Sequence, residues 1–145
     1  MIGKRMGLFN NDTKRKILFI TTEENPFAKV GGLGEVMFSL PRALTRLGHD
    51  ARVMMPRYGT VDIAANHLSL VYEGLEVPTT PDGSGKRLNC NIREYTHNGK
   101  SDGPVHTYFL ENQEYYELRS NVYGYMDDQI RFLLLSRGSL EFLNL

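Results

Sequence analysis

Apolar and polar positions divide the chain into short β-type runs and two helical stretches. Lys16 to Thr21, KILFIT, is apolar and bounded by charge, which predicts a fully buried strand. A polar, glycine-bearing stretch follows from Thr22 to Gly32. Beyond it, Leu33, Val36, Met37, Leu40, Ala43, Leu44 and Leu47 recur at spacings of three and four, one face of an α-helix. Gly48 stands where a C-terminal cap belongs, and Pro41 predicts a bend or one loosened turn. Ala51 to Met55 is a second apolar run, closed by Pro56. Residues 16–55 thus read strand, glycine loop, helix, strand, with a connection long enough for a right-handed crossover between parallel strands. This is the opening unit of a Rossmann-like sheet.

The middle of the chain switches pattern. Leu68 to Val77 and Leu88 to Tyr95 read as strands, joined by the turn-rich PTTPDGSGK, so an antiparallel hairpin is expected. Asn98-Gly99 and Asp102-Gly103-Pro104 mark another turn before a strand over Val105 to Leu110. Asn112 to Leu118 suits a short helix. Asp127 to Leu143 predicts a long one, with Asp127 or Asp128 near its N-cap and Ile130, Leu133, Leu134 and Leu140 inward. The predicted fold class is α/β: a Rossmann-like sheet with an inserted antiparallel hairpin.

Composition narrows the function classes. The 145 residues carry 17 Lys+Arg and 17 Asp+Glu, so no basic excess points to nucleic acid. The charge is uneven, however: Lys4, Arg5, Lys14, Arg15 and Lys16 face Asp12 alone, which predicts a basic tail over residues 1–15 ahead of the domain at 16–145. No apolar run approaches the roughly 18–20 residues of a membrane span. Met1 to Asn11 lacks the apolar centre of a secretory signal. The lone Cys90 excludes an intrachain disulfide, and these features together predict a cytoplasmic chain. His49, His67, His97, His106 and Cys90 have no metal-ligand spacing, so no metal and no cofactor are expected.

Candidate chemistry concentrates in Thr22 to Glu35, TEENPFAKVGGLGE. In an open α/β sheet such a loop lies at the C-terminal end of a strand, where ligands bind. The helix that follows offers unpaired N–H groups and the positive end of a dipole. Gly31 and Gly32 permit close backbone approach, and Lys29 adds a mobile positive charge. These are the parts of a diphosphate cradle; they equally suit a plain turn with a solvated lysine. Two known phosphate motifs fail here. Gly32 and Gly34 begin a dinucleotide fingerprint, but Met37 occupies the last glycine position and no acid ends the second strand. Gly85-Lys86 lacks a P-loop's first glycine, replaced by Thr80, and has Arg87 where Ser or Thr is required.

Glu23, Pro26, Lys29, Gly31, Gly32 and Leu33 form E-x-x-P-x-x-K-x-G-G-L. This resembles the N-terminal signature of bacterial glycogen synthases and plant starch synthases. SLPRAL and LGHDARVMMPRY follow in the same order as in those families. A second block, Asn121, Tyr123, Gly124, Asp127, Arg131 and Phe132, resembles their N-x-Y-G and D-x-x-x-R-F elements, so the resemblance runs from about Lys16 to Leu143.

The resemblance implies a retaining glucosyltransferase with two Rossmann domains (GT-B). It would move glucose from ADP-glucose or UDP-glucose to the non-reducing end of an α-1,4-glucan. On that analogy Lys29 contacts the donor phosphates, with Gly31 and Gly32 beside the glucosyl group. Glu23 and Tyr123 line the acceptor side. Glu35 stands where the family usually carries Asp, near the bound sugar. A histidine- and aspartate-bearing block that the family places after the last helix is not in the chain, nor is a second, C-terminal domain. The expectation is therefore an incomplete N-terminal domain, inactive alone, that partners with that missing domain. No catalytic residue is assigned. An exposed apolar face is expected where absent elements pack. The alternatives are a stand-alone nucleotide-sugar or glucan-binding module and a dinucleotide-binding Rossmann domain. Tyr108, Tyr115, Tyr116 and Tyr125 read either as a sugar-stacking surface or as core.

Overall fold

Strand β1 (Lys16–Ile20) runs parallel to β2 (Asp50–Pro56), with Ile17 opposite Ala51 and Ile20 opposite Met54. Helix α1 (Gly32–Arg46) makes the crossover between them. The computed structural model describes residues 13–99 and 103–145; the expected basic tail, through residue 12, and Lys100 to Asp102 lie outside that range. Strand β3 (Ser69–Pro78) pairs antiparallel with β4 (Arg87–Gly99), which pairs antiparallel with β5 (Gly103–Glu111). Strand β5 returns parallel to β2, Arg52 opposite His106 and Met55 opposite Phe109. The sheet order is β1-β2-β5-β4-β3, a parallel core of three strands with the predicted hairpin extending one edge.

Both faces of the central strands are covered, and Val53, Met54 and Met55 are all at 0% exposure. Side chains alternate across a strand, so neighbours belong to different cores. Met54, Tyr108 and Leu110 pack with Leu134 and Leu135 of α2 (Asp128–Leu143). Met55 and Phe109 face the other way, toward Ala28, Tyr58, Val61, Leu68 and Val122. Helix α1 packs on β2 and β5.

The helices lie where the periodicity predicts, but turned about their axes. In α1 the buried row is Gly34, Met37, Pro41 and Arg42, while Leu33, Val36, Leu40 and Leu47 are exposed. In α2 the buried row is Arg131, Leu134, Leu135, Gly138 and Ser139, and Ile130, Leu133 and Leu140 face outward. Gly138 explains the second rotation: a Cβ there would come within 2.8 Å of Leu110 Cδ2, so the sheet receives the glycine face. Strand β1 is half-exposed rather than fully buried, because it has a neighbour on one side only. The helix expected over Asn112 to Leu118 is a single wide turn, with Glu117 N donating to Asn112 O (3.2 Å) and Leu118 N to Gln113 O (3.0 Å). Gly48 ends α1 in the left-handed conformation (φ 90°), as the capping reading requires. Among the described residues no helix is long and apolar enough to cross a membrane.

Candidate functional site

The loop between β1 and α1 leaves the C-terminal end of an edge strand and is folded back by its own side chains. Glu23, 3% exposed, is the clasp. Its Oε2 accepts from Val30 N at 2.8 Å and Gly31 N at 3.0 Å, and its Oε1 accepts from Tyr123 Oη at 2.7 Å. Burial pushes the Glu23 carboxyl up, but the hydrogen bonds from Gly31, Tyr123 and Val30 outweigh it and hold the pKa below the ordinary value. Tyr123 Oη also lies 2.6 Å from Thr22 Oγ1, and Tyr58 Oη donates to Thr22 O at 2.8 Å. Burial raises the Tyr123 phenol, and the Glu23 carboxylate beside it adds to the effect.

Lys29 and Glu35 form an ion pair on the open side of the loop, each about half exposed. Asn25 Nδ2 donates to the same Glu35 oxygen at 3.1 Å. Helix α1 begins between them, and its N-cap residue, Gly31, supplies no side-chain capping bond. A Cβ built on Gly31 or Gly32 would meet nothing within 4 Å, so open space lies beside both glycines. Gly34 is different: a Cβ there would lie 3.3 Å from Ala28 O and from Lys29 Cγ, so it lets the loop lie down on the helix.

The opposite wall is the segment bearing Tyr123, and Arg131 of α2 holds it. Arg131 Nε donates to Tyr115 O (2.8 Å), Nη1 to Val122 O (2.9 Å) and Asp128 Oδ1 (2.7 Å), and Nη2 to Asn121 O (3.3 Å). Its guanidinium stacks on Tyr125, 4.6 Å from the ring centroid. Arg119 grips Asp127 with two nitrogens, one at 2.7 Å from Oδ2. That grip occupies the Asp127 carboxylate, which makes no capping bond to α2.

The six residues named from the sequence therefore gather into two touching groups. Glu23, Gly31 and Tyr123 are joined by direct hydrogen bonds; Lys29 and Glu35 pair beside Gly32. Tyr108 and Tyr116 belong to the core, and Tyr116 Oη donates to Arg131 O at 2.6 Å. Thr22, Tyr58, Asn25 and Arg131 were not singled out as site residues, although Arg131 lies in the second sequence block. An apolar cleft of about 620 Å³ between the β3–β4 hairpin and α2, lined by Val77, Pro81, Leu88, Leu133 and Arg137, carries none of these groups. Among the described residues no three His, Cys, Asp or Glu side chains gather as a metal-binding set.

Residues 16–145 match the family model described as the starch synthase catalytic domain. A glycogen synthase of Clostridium acetobutylicum is 40% identical over 126 residues, covering 87% of this chain and 24% of the relative. Glycogen synthase 1 of Geobacter metallireducens is 42% identical over 133 residues, covering 88% and 25%. Among solved structures, the catalytic domain of starch synthase IV from Arabidopsis thaliana, bound to ADP and acarbose, superposes with a TM-score of 0.75 at 32% identity. That match covers 91% of this chain and 26% of the other. The chain thus spans about a quarter of the length of these relatives. The family model begins at the first residue of β1 and takes in the glycine loop, the Glu23–Tyr123 clasp and the Arg131 anchor, so this chain belongs to the starch synthase catalytic domain family.

Proposed function

We propose that residues 16–145 form the first part of the N-terminal domain of a GT-B glucosyltransferase. That enzyme transfers glucose from ADP-glucose, or UDP-glucose, to the non-reducing end of an α-1,4-glucan with retention. One observation carries the reading: Lys29 stands exposed at the start of α1, beside two glycines with open space around them. Glucosyl transfer develops negative charge on the departing diphosphate. A lysine and helix N-terminal amides fixed in place stabilise that charge. Lys29 exchanges Glu35 for phosphate when the donor binds. Glu35 then lies near the sugar, where a carboxylate favours an oxocarbenium-like centre. Glu23 and Tyr123 hold the acceptor side in shape. The starch synthase IV structure bound to ADP and acarbose supports a nucleotide and a glucan-like ligand for this fold.

The exposed Leu33, Val36, Leu40 and Leu47 support a domain that continues beyond these elements, with a C-terminal domain as the partner that closes the cleft. The buried, solitary Cys90 suits a reducing, cytoplasmic setting. Two measurements test the reading. Titration of the chain with ADP-glucose by calorimetry is expected to show weak binding that Lys29→Ala abolishes. In the longer enzyme, Lys29→Ala is expected to lower turnover by about 100-fold or more, the scale of losing one fixed transition-state donor. An unchanged turnover removes Lys29 from the site.

A further inference from the structure

Glu24 is 1% exposed at the root of the glycine loop. Its neighbour Glu23 is committed to Tyr123, Val30 and Gly31, so the two adjacent carboxylates serve different partners. Glu24 Oε2 accepts from Thr107 Oγ1 of β5 at 2.8 Å, and Thr107 is itself buried. The positive charge of Arg42, from the buried row of α1, favours the ionised form of Glu24. Arg42 in turn lies over the Phe38 ring, 3.8 Å from its centroid, and donates to Phe38 O. The Glu24 backbone brackets the loop as well: Glu24 O accepts from Ala28 N at 2.9 Å, and the next amide, Asn25 N, donates to Gly34 O at 3.1 Å. An apolar side chain occupies a buried position without the desolvation cost of a carboxylate, which survives there only with partners. No part of the donor chemistry proposed above uses Glu24.

We propose that Glu24 is a positioning residue: its buried carboxylate ties the root of the Lys29 loop to β5 through Thr107 and to α1 through Arg42, so its charge state sets the grip of Lys29 on a diphosphate. This rests on the donor-site reading. Glu24 touches no donor; it acts through the Asn25 and Ala28 backbone bonds that bracket the loop. Burial pushes its carboxyl up to about 7, against the opposing pull of Thr107 and Arg42. The tie therefore gains or loses its charge near neutrality. The net upward shift means that the folded loop favours the protonated acid, so ionisation loosens the tie despite the pull of Arg42.

The test follows the loop by NMR in the full chain, from about pH 5.5 to about pH 8.5. The Glu24 side-chain carboxyl carbon and the amides of Ala28, Val30 and Gly31 are expected to share one midpoint near 7. That midpoint disappears from the amides in Glu24→Gln, and Glu24→Asp restores part of it. The ratio of wild-type to Glu24→Gln affinity for ADP is expected to fall about fivefold from the lower to the upper end of that range, the lower end of ordinary site-to-site coupling. Amides that stay flat in the wild type, or that keep their midpoint in Glu24→Gln, overturn the proposal. The carboxyl and amide titrations of the wild type need no variant, so the result does not depend on the glutamine chain folding. Amides that titrate with Glu24 in a chain that binds ADP at neither pH support the tie and overturn the donor reading instead.

Discussion

Replacing Arg131 with methionine asks whether the Tyr123 wall is held by hydrogen bonds or by packing. Arg131 is at 0% exposure and supplies donors to Tyr115 O, Val122 O, Asn121 O and Asp128 Oδ1. Methionine replaces most of the apolar stem, so the cavity contribution is small. What is lost is the guanidinium. Removing one side of a buried ion pair costs about 3–5 kcal/mol. Asp128 keeps a quarter of its side chain in solvent (25%) and rehydrates, which places this pair at the lower end. The Val122 carbonyl sits in a buried bond, and leaving it unpaired adds on the order of 1 kcal/mol. The expected loss is about 4 kcal/mol, a large share of the roughly 5–15 kcal/mol that holds a domain folded. The chain has no tryptophan, so urea unfolding is followed by circular dichroism. The midpoint should fall with the slope unchanged. Arg131→Lys should recover less than half, because one ammonium does not reproduce a fork that reaches four acceptors. A methionine chain within about 0.5 kcal/mol of the wild type refutes the reasoning and makes the wall a packing feature.

Glu24 also sets the pH dependence of stability. Its pKa is raised from 4.5 to about 7 in the folded chain, so the stability it contributes is fully present below about 4.5 and is lost as pH rises through 7, a change of roughly 3 kcal/mol. Urea midpoints should show that decline in the wild type and not in Glu24→Gln, which becomes the more stable chain above pH 7; parallel profiles for the two would contradict it. Gly59→Ala should destabilise by about 2–3 kcal/mol, because its Cβ would lie 2.5 Å from Glu117 O and 3.1 Å from Arg119 O. An unchanged melting temperature would show that this contact yields freely. Cys90 is buried, and burial pushes its thiol up to about 12, so a disulfide reagent at neutral pH should label it only after urea is added. Rapid labelling of the native chain would place that strand in a more open state.

The parallel crossover and the hairpin were legible where pattern and turn residues agreed; the place of β5 between β2 and β4 was not. KILFIT, the Leu33 to Leu47 periodicity and the run closed by Pro56 gave the parallel crossover, and PTTPDGSGK gave the hairpin. The inward faces of the helices were less legible. Counting apolar residues put Leu33, Val36 and Leu40 inside; the sheet instead takes Gly34, Met37, Pro41 and Arg42. Periodicity reports how apolar a face is, whereas distance of approach depends on side-chain size. Gly138 shows this in α2, where the absence of a Cβ against Leu110 decides the rotation that leaves Leu133 and Leu140 outside. Arg131 reads in sequence as a polar position near a helix start. Its burial follows from carbonyls of Tyr115, Asn121 and Val122 that converge only after folding.

The site shows the same division, with one consequence for chemistry. The motif names Glu23, Lys29, Gly31 and Gly32, but it does not say that Glu23 fills the anion position nearest the helix. Two of the amides a phosphate would seek, on Val30 and Gly31, already donate to Glu23 Oε2. A loop with two consecutive glycines has much conformational freedom to lose on ordering. An internal carboxylate held below its ordinary pKa removes that freedom before any ligand arrives. On the donor reading, the diphosphate then meets Lys29 and the remaining amides of the first turn. Lys29 is free to move to it because its present partner, Glu35, is about half exposed and loses little by returning to water. On that reading Glu23 is the group that shapes the loop, and Lys29 the charge the loop presents.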